Sequence, residues 1–298
     1  MTAVFVPHDV AVVGGDLRVG VRETDAADAP TVLLVHGVTS SHLAWAHLAA
    51  LLPGVRLIAP DLRGRGRSRD LVGPAGMTAH AADMVAVLDH FGVDRALVVG
   101  HSMGAFVSVV LAHRHPERVA RLLLVDGGLP LDVPVGLEPG ELVSMILGPT
   151  AERLSMRFPD LEHYLDFWRQ HPGFADDWSP VLEEYFAYDL VPDDAGALHP
   201  ATAYQTVVDD TVDLNAATIT DALAARQHPI RLITVPRGLQ NETPGLFAAE
   251  RILELLERYP GVVHERHDGF NHYTIVMSGA GARLVGAAIE EELALVAS

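Results

Sequence analysis

Gly100-His101-Ser102-Met103-Gly104 sets one serine between two glycines, after an apolar run and before a run of helical spacing. A hydroxyl in that setting suits nucleophilic attack on a carbonyl, because a serine on a sharp strand-to-helix turn projects clear of its own backbone. The flanking glycines let strand and helix approach without Cβ clashes. Such a serine needs a base, a group to orient the base and donors for the developing oxyanion. The chain offers 16 histidines and 39 carboxylates for these roles.

His272 lies in "HDGFNHYTIV", between the last strand-like run and the final helical one. A loop leaving the carboxyl edge of a parallel sheet meets loops leaving neighbouring strands, so His272 is the expected base. His264 and His267 fall inside that last strand, and His113 and His115 near the end of the helix after Ser102. His101 adjoins the serine, but the elbow is expected to turn its side chain away. No histidine forms an H-E-x-x-H pair or another ligand spacing, so no metal site is expected.

The elements that must position these groups alternate. β-Branched runs at Leu17–Thr24, Thr31–His36, Val55–Pro60, Ala96–Gly100 and Val119–Asp126 read as strands. Helical patterns at His42–Leu52, Met77–Phe91 and Met103–His115 fall among them, which implies right-handed crossovers and a mainly parallel sheet. Ahead of them, Ala3–Val6 or Asp9–Val13 pairs with Leu17–Thr24 through Gly14-Gly15, predicting an antiparallel hairpin at one edge. From 129 to 225 no clear β-run occurs and aromatics are dense. Strand, helix, strand and helix then resume at Ile230–Val235, Leu246–Arg258, Val262–His267 and Ala280–Ala297.

Composition excludes several classes. Apolar residues make up 49 % and charged residues 20 %, the balance of a globular protein. A net charge of −18 opposes nucleic-acid backbones and anionic membranes. All 21 basic residues are arginine, and cysteine is absent, so disulfide and thiolate chemistry are ruled out. No apolar run is long enough to span a membrane. The first residues lack the basic and apolar regions of a signal peptide, so the expected compartment is the cytoplasm.

With three further landmarks, His36-Gly37 after the third strand, "DLRGRGRS" at 61–68 after the fourth and the late His272, the chain resembles the α/β-hydrolase family over essentially its whole length. That resemblance implies an α/β fold with a mostly parallel eight-stranded sheet flanked by helices. It places a helical cap between strands 6 and 7, dividing the chain into a core of 1–128 and 226–298 and a cap of 129–225. It points to the amides of Val38 and Met103 as the oxyanion hole, gives His36 a structural role, and reads "DLRGRGRS" as a glycine turn held by an Asp–Arg pair. "HGVTSSHLAW" resembles the matching loop of haloalkane dehalogenases. Those enzymes attack with an aspartate, so Ser102 argues against dehalogenation and epoxide hydrolysis.

The family usually carries its acid after the seventh strand, where "VPRGLQNETPGL" has no aspartate but offers Asn241 and Glu242. An acid ending the sixth strand is the other known arrangement, and "RLLLVDGG" puts Asp126 there. Asp126 is the expected acid, Glu242 its alternative, and a Ser–His dyad the third possibility. Eight aromatics between Tyr164 and Tyr188 imply an apolar roof, with Trp45, Phe167 and Trp168 as candidate substrate contacts.

The expected activity is hydrolysis of an ester or lactone of a small apolar molecule through an acyl-enzyme, without a cofactor, by a monomer or homodimer. C–C bond hydrolysis, thioester hydrolysis and perhydrolysis are alternatives on the same site. A ligand-binding protein or a cyclase using the cavity without acyl transfer is a reading of a different class. Labelling by a fluorophosphonate separates the hydrolase from the binding protein.

Overall fold

The structure, a computed structural model, describes residues 5–26, 28–134, 136–193, 195–214 and 216–297. The strands among the described residues are β1 (Val6–Val12), β2 (Gly15–Arg22), β3 (Thr31–Val35), β4 (Arg56–Pro60), β5 (Ala96–His101), β6 (Val119–Val125), β7 (Leu190–Pro192), β8 (Leu198–Pro200), β9 (Ile230–Thr234) and β10 (Val262–Arg266). Eight of them form one sheet in the order β1-β2-β4-β3-β5-β6-β9-β10. β1 pairs antiparallel with β2 and β2 with β4, while every later pairing is parallel. The antiparallel edge is thus the hairpin read around Gly14-Gly15; Ala3 and Val4 of that reading lie outside the described residues.

Central strands are apolar on both faces because helices cover both. The pleat sends Leu33, Ile58, Val98 and Leu124 into one buried cluster, and Val32, Leu57, Val99 and Leu123 into the other. The first cluster packs under α2 (Met77–His90), α3 (Met103–Arg114), α9 (Ala217–Ala224) and α10 (Ala249–Arg258). The second packs under α1 (Ala46–Leu51), α11 (Thr274–Met277) and α12 (Gly279–Ala297).

Between β6 and β9 run α4 (Pro139–Leu147), α5 (Pro149–Arg153), α6 (Leu161–Arg169), α7 (Pro180–Asp189), the β7–β8 ribbon, α8 (Tyr204–Asp213) and α9. The ribbon differs from the reading of this stretch as free of strands; at three residues a strand and with a proline in each, it shows no alternation to read. α9 is also no roof element. Its Ile219, Ala222 and Leu223 are buried in the cluster that holds α3, so the chain has rejoined the core before 226. Among the described residues no helix is long and apolar enough to cross a membrane.

Candidate active site

β5 ends at His101, the chain turns at Ser102, and α3 begins at Met103. Ser102 has φ 54° and ψ −124°, a backbone state that side-chain-bearing residues seldom hold. Such strain amounts to about 1–3 kcal/mol and persists where the surroundings over-determine it. Here Ser102 N–H donates to the Val125 carbonyl at 2.9 Å, and the Ser102 carbonyl accepts from Ala105 N–H at 3.0 Å. Both elbow glycines are obligatory: a Cβ on Gly104 would lie 2.0 Å from the Val35 carbonyl oxygen, and one on Gly100 2.4 Å from that of Gly104.

The neighbouring strand end is built with similar strain. Asp126 follows β6 at φ 46°, fully buried, its N–H donating to the Ile233 carbonyl at 2.7 Å. Its Oδ2 accepts from His272 Nδ1 at 2.6 Å. A carboxylate only accepts, so Nδ1 carries the proton and Nε2 is left as the basic nitrogen. His272 is itself buried, and its N–H donates to the Arg237 carbonyl at 2.9 Å. Ser102 and His272 line one cavity.

Of the two acids weighed from sequence, Asp126 is the one brought to His272. Glu242 is exposed, and its Oε2 accepts from the Gln240 N–H at 2.6 Å, closing its own loop. Asn241, at φ 61°, accepts from Asn271 Nδ2 at 3.2 Å.

His101 departs from expectation. Its ring lines the cavity 4.8 Å from the His272 ring, and its Nε2 donates to the His272 carbonyl at 2.8 Å. Burial, reinforced by the neighbouring His272 imidazole, pushes its imidazole well below the ordinary range. It is a neutral prop for the histidine loop, and its adjacency to the elbow serine was the only signal of it in the sequence.

Val38 and Met103 line the cavity beside Ser102. Met103 opens α3, where amides without intrahelical acceptors carry partial positive charge. His36 lies behind this loop, Nε2 accepting from Leu62 N–H at 3.0 Å and Nδ1 donating to the Gly37 carbonyl at 2.8 Å. Burial lowers its pKa to about 4, so it stays neutral. In "DLRGRGRS", Arg63 is clamped by Asp83 of α2 with two contacts of 2.8 Å, not by Asp61. Asp61 instead accepts from His42 N–H and His42 Nδ1 at 2.8 Å each, from Arg67 N–H at 2.9 Å and from Tyr188 Oη at 2.6 Å. Burial opposes ionisation of Asp61, yet His42 beside it holds the carboxyl well below the usual range.

The roof uses four of the eight aromatics: Trp168, Phe174, Tyr185 and Phe186. Trp168 and Phe186 stack at 4.4 Å, and Tyr185 Oη donates to Ser40 Oγ at 3.0 Å, tying roof to oxyanion loop. Of the three contacts expected from sequence, Trp168 lines the cavity and the other two do not. Trp45 is fully buried in the α1 side of the core, and Phe167 packs on Phe158, Tyr164 and Trp168. Among the described residues no arginine, aspartate or glutamate lines the cavity.

The cavity has a volume of about 50 Å³. Leu131 and Leu214 separate it from an apolar cleft of about 330 Å³ walled by Pro130, Leu142 and Ile219.

Comparison with known proteins shows the family of the fold. The family model for the alpha/beta hydrolase fold matches residues 30–223. Lipase LipV of Mycobacterium tuberculosis is 42 % identical over 101 residues, 34 % of this chain and 38 % of its own length. A 2-hydroxy-6-oxononadienedioate/2-hydroxy-6-oxononatrienedioate hydrolase of Paraburkholderia phymatum is 33 % identical over 151 residues, 47 % of this chain and 52 % of its own. The matched segments thus span 38 % and 52 % of those relatives' own lengths. The crystal structure of E-2-(acetamidomethylene)succinate hydrolase superposes with a TM-score of 0.76 at 20 % identity, covering 96 % of this chain and 98 % of that one.

Proposed function

The chain belongs to the alpha/beta hydrolase fold family, and we propose that it is a serine hydrolase cleaving an ester or lactone of a small, uncharged, apolar molecule. The observation that carries this reading is the 2.6 Å bond from His272 Nδ1 to buried Asp126, with Ser102 on the same cavity. Ser102 Oγ attacks the carbonyl carbon as its proton passes to His272 Nε2. Asp126 stabilises the imidazolium, and the Val38 and Met103 amides donate to the oxyanion. Collapse expels the alkoxide, which takes the proton from His272, and leaves an acyl group on Ser102. Water then attacks that ester with His272 again as base.

Substrate charge is argued from the lining. A carboxylate held without a cation would lose its hydration uncompensated. The Paraburkholderia relative and the succinate hydrolase have dicarboxylates in their names, and the uncharged lining here favours neutral esters over such substrates.

The test is a pairing of chemistry and mutation. Wild type should show a burst of p-nitrophenol from p-nitrophenyl acetate and take up one fluorophosphonate, both absent in Ser102→Ala. That variant should fold normally and lose at least about three decades of kcat, the remainder coming from the oxyanion donors. Hydrolysis by Ser102→Ala near the wild-type rate would sink the proposal.

A further inference from the structure

Arg65, the middle arginine of "DLRGRGRS", is fully buried and outside the cavity lining. Its contacts converge on both halves of the oxyanion hole just proposed. Nε donates to the Val38 carbonyl at 2.7 Å, and Nη2 lies 3.7 Å from Met103 Sδ. Nη1 donates to the Arg63 carbonyl at 3.0 Å and pairs with Asp210 of α8, which is also fully buried. Asp210 is anchored independently, Oδ1 accepting from Gly76 N–H at 2.7 Å and His80 Nε2 at 3.0 Å.

A turn stabilised only by its glycines and backbone would not require a buried guanidinium. Removing two charges from water is costly, and apolar side chains of similar volume often serve the fold as well or better. What the planar fork supplies is direction: donors at fixed angles reach a carbonyl on one side and a carboxylate on another. The Val38 carbonyl and the Val38 N–H that must meet the oxyanion flank the same Cα. Met103 carries the second amide.

We propose that Arg65 is a positioning residue for transition-state stabilisation, a rigid strut braced on Asp210 that fixes the Val38 turn against Met103. The proposal rests on the reading of Val38 and Met103 as oxyanion donors. Lost bracing would weaken contacts made in the transition state more than substrate binding, so the effect belongs in kcat rather than KM.

Arg65→Met alone removes the guanidinium from buried Asp210, leaving Gly76 N–H and His80 to hold its charge, and is expected to unfold easily. Arg65→Met/Asp210→Asn removes both charges, and the introduced amide keeps an acceptor oxygen for Gly76 and His80. With p-nitrophenyl acetate the double variant should melt close to wild type while kcat falls about 10- to 100-fold, less than outright loss of an oxyanion donor. KM should change by less than about threefold, and affinity for a trifluoromethyl ketone should fall in step with kcat/KM. Recovery of both melting temperature and kcat in the double variant would overturn the proposal, as would a kcat loss with undiminished ketone affinity. Should the double variant not fold, Arg65→Lys keeps the cation and drops the fork. It should lose about tenfold in kcat at unchanged KM, and wild-type kcat there would equally overturn the idea. Ser102→Ala run alongside separates the failures. An active Ser102→Ala removes the reading of the site and this proposal with it, whereas an inactive one beside a fully active double variant removes the proposal alone.

Discussion

The floor and the roof of the cavity are built on opposite terms. On the floor, Ser102, His272, Asp126 and His101 hang from strand ends and their loops. Hydrogen bonds of 2.6–2.9 Å hold the turns or rings of all four. Among the described residues, two of the three left-handed ones that are not glycine are in this group. The roof is ring against ring, with Tyr185 to Ser40 as its polar tie among the lining aromatics. Directional bonds in a buried setting tolerate little displacement, whereas apolar packing tolerates exchange at similar volume. The floor should therefore decide whether the reaction proceeds, and the roof which molecule enters.

The sharpest way to break that contrast is at the acid. Asp126→Asn keeps the shape of the floor but cannot stabilise the imidazolium, and kcat should fall by about 10⁴ with the melting temperature little changed. Glu242→Gln, in an exposed loop, should stay within about twofold of wild type because an exposed charge acts weakly. Steady-state rates on one ester decide it, and a crippled Glu242→Gln beside an active Asp126→Asn would move the acid to the β9 loop.

Beside the roof, Leu214→Ala should join the cavity of about 50 Å³ to the cleft of about 330 Å³. The ratio of kcat/KM for p-nitrophenyl octanoate over acetate should rise about tenfold, the scale on which apolar pockets discriminate, while kcat on acetate holds. An unchanged chain-length profile would mean that Leu214 is no barrier.

The last effect concerns pH and the floor's foundations. His36 has its pKa lowered by burial from 6.5 to about 4, so between those values the unfolded chain binds a proton that the native one does not. Stability supplied by the neutral ring is then complete above about pH 6.5 and is lost as pH falls towards 4, by about 1.4 kcal/mol per pH unit for one such histidine. His36→Asn should flatten the decline of chemically measured unfolding free energy across that interval by this amount. An unchanged slope would show that His36 does not contribute to it.

The sequence was most legible where local pattern and backbone geometry coincide. Ser102 sits in a five-residue motif whose glycines are demanded by 2.0 and 2.4 Å approaches, and the central strands β3, β4 and β5 are near-continuous apolar runs. Legibility failed where partners come from far along the chain. Arg63 finds Asp83, not the nearer Asp61, because the choice depends on where α2 lands. Trp45 faces the core instead of the substrate, a matter of which side of β3 its helix covers. Nor does "RGRGRS" indicate that Arg65 turns inward while Arg67 lies against Tyr188.

One connection has a bearing on how this chain is made. α2 begins at Met77, and its N-cap, Gly76, has no side chain with which to cap it. Its first amides are instead met by carboxylates of α8: Gly76 N–H donates to Asp210 at 2.7 Å and Met77 N–H to Asp213 at 2.6 Å. These partners lie 134 and 136 positions downstream. On the ribosome, at about 5–20 residues per second, α2 therefore waits for many seconds with its first turn open. The inserted segment is a late-arriving clasp on a helix from the first third of the chain. A foreign roof spliced in its place would have to bring two acids to the same spot.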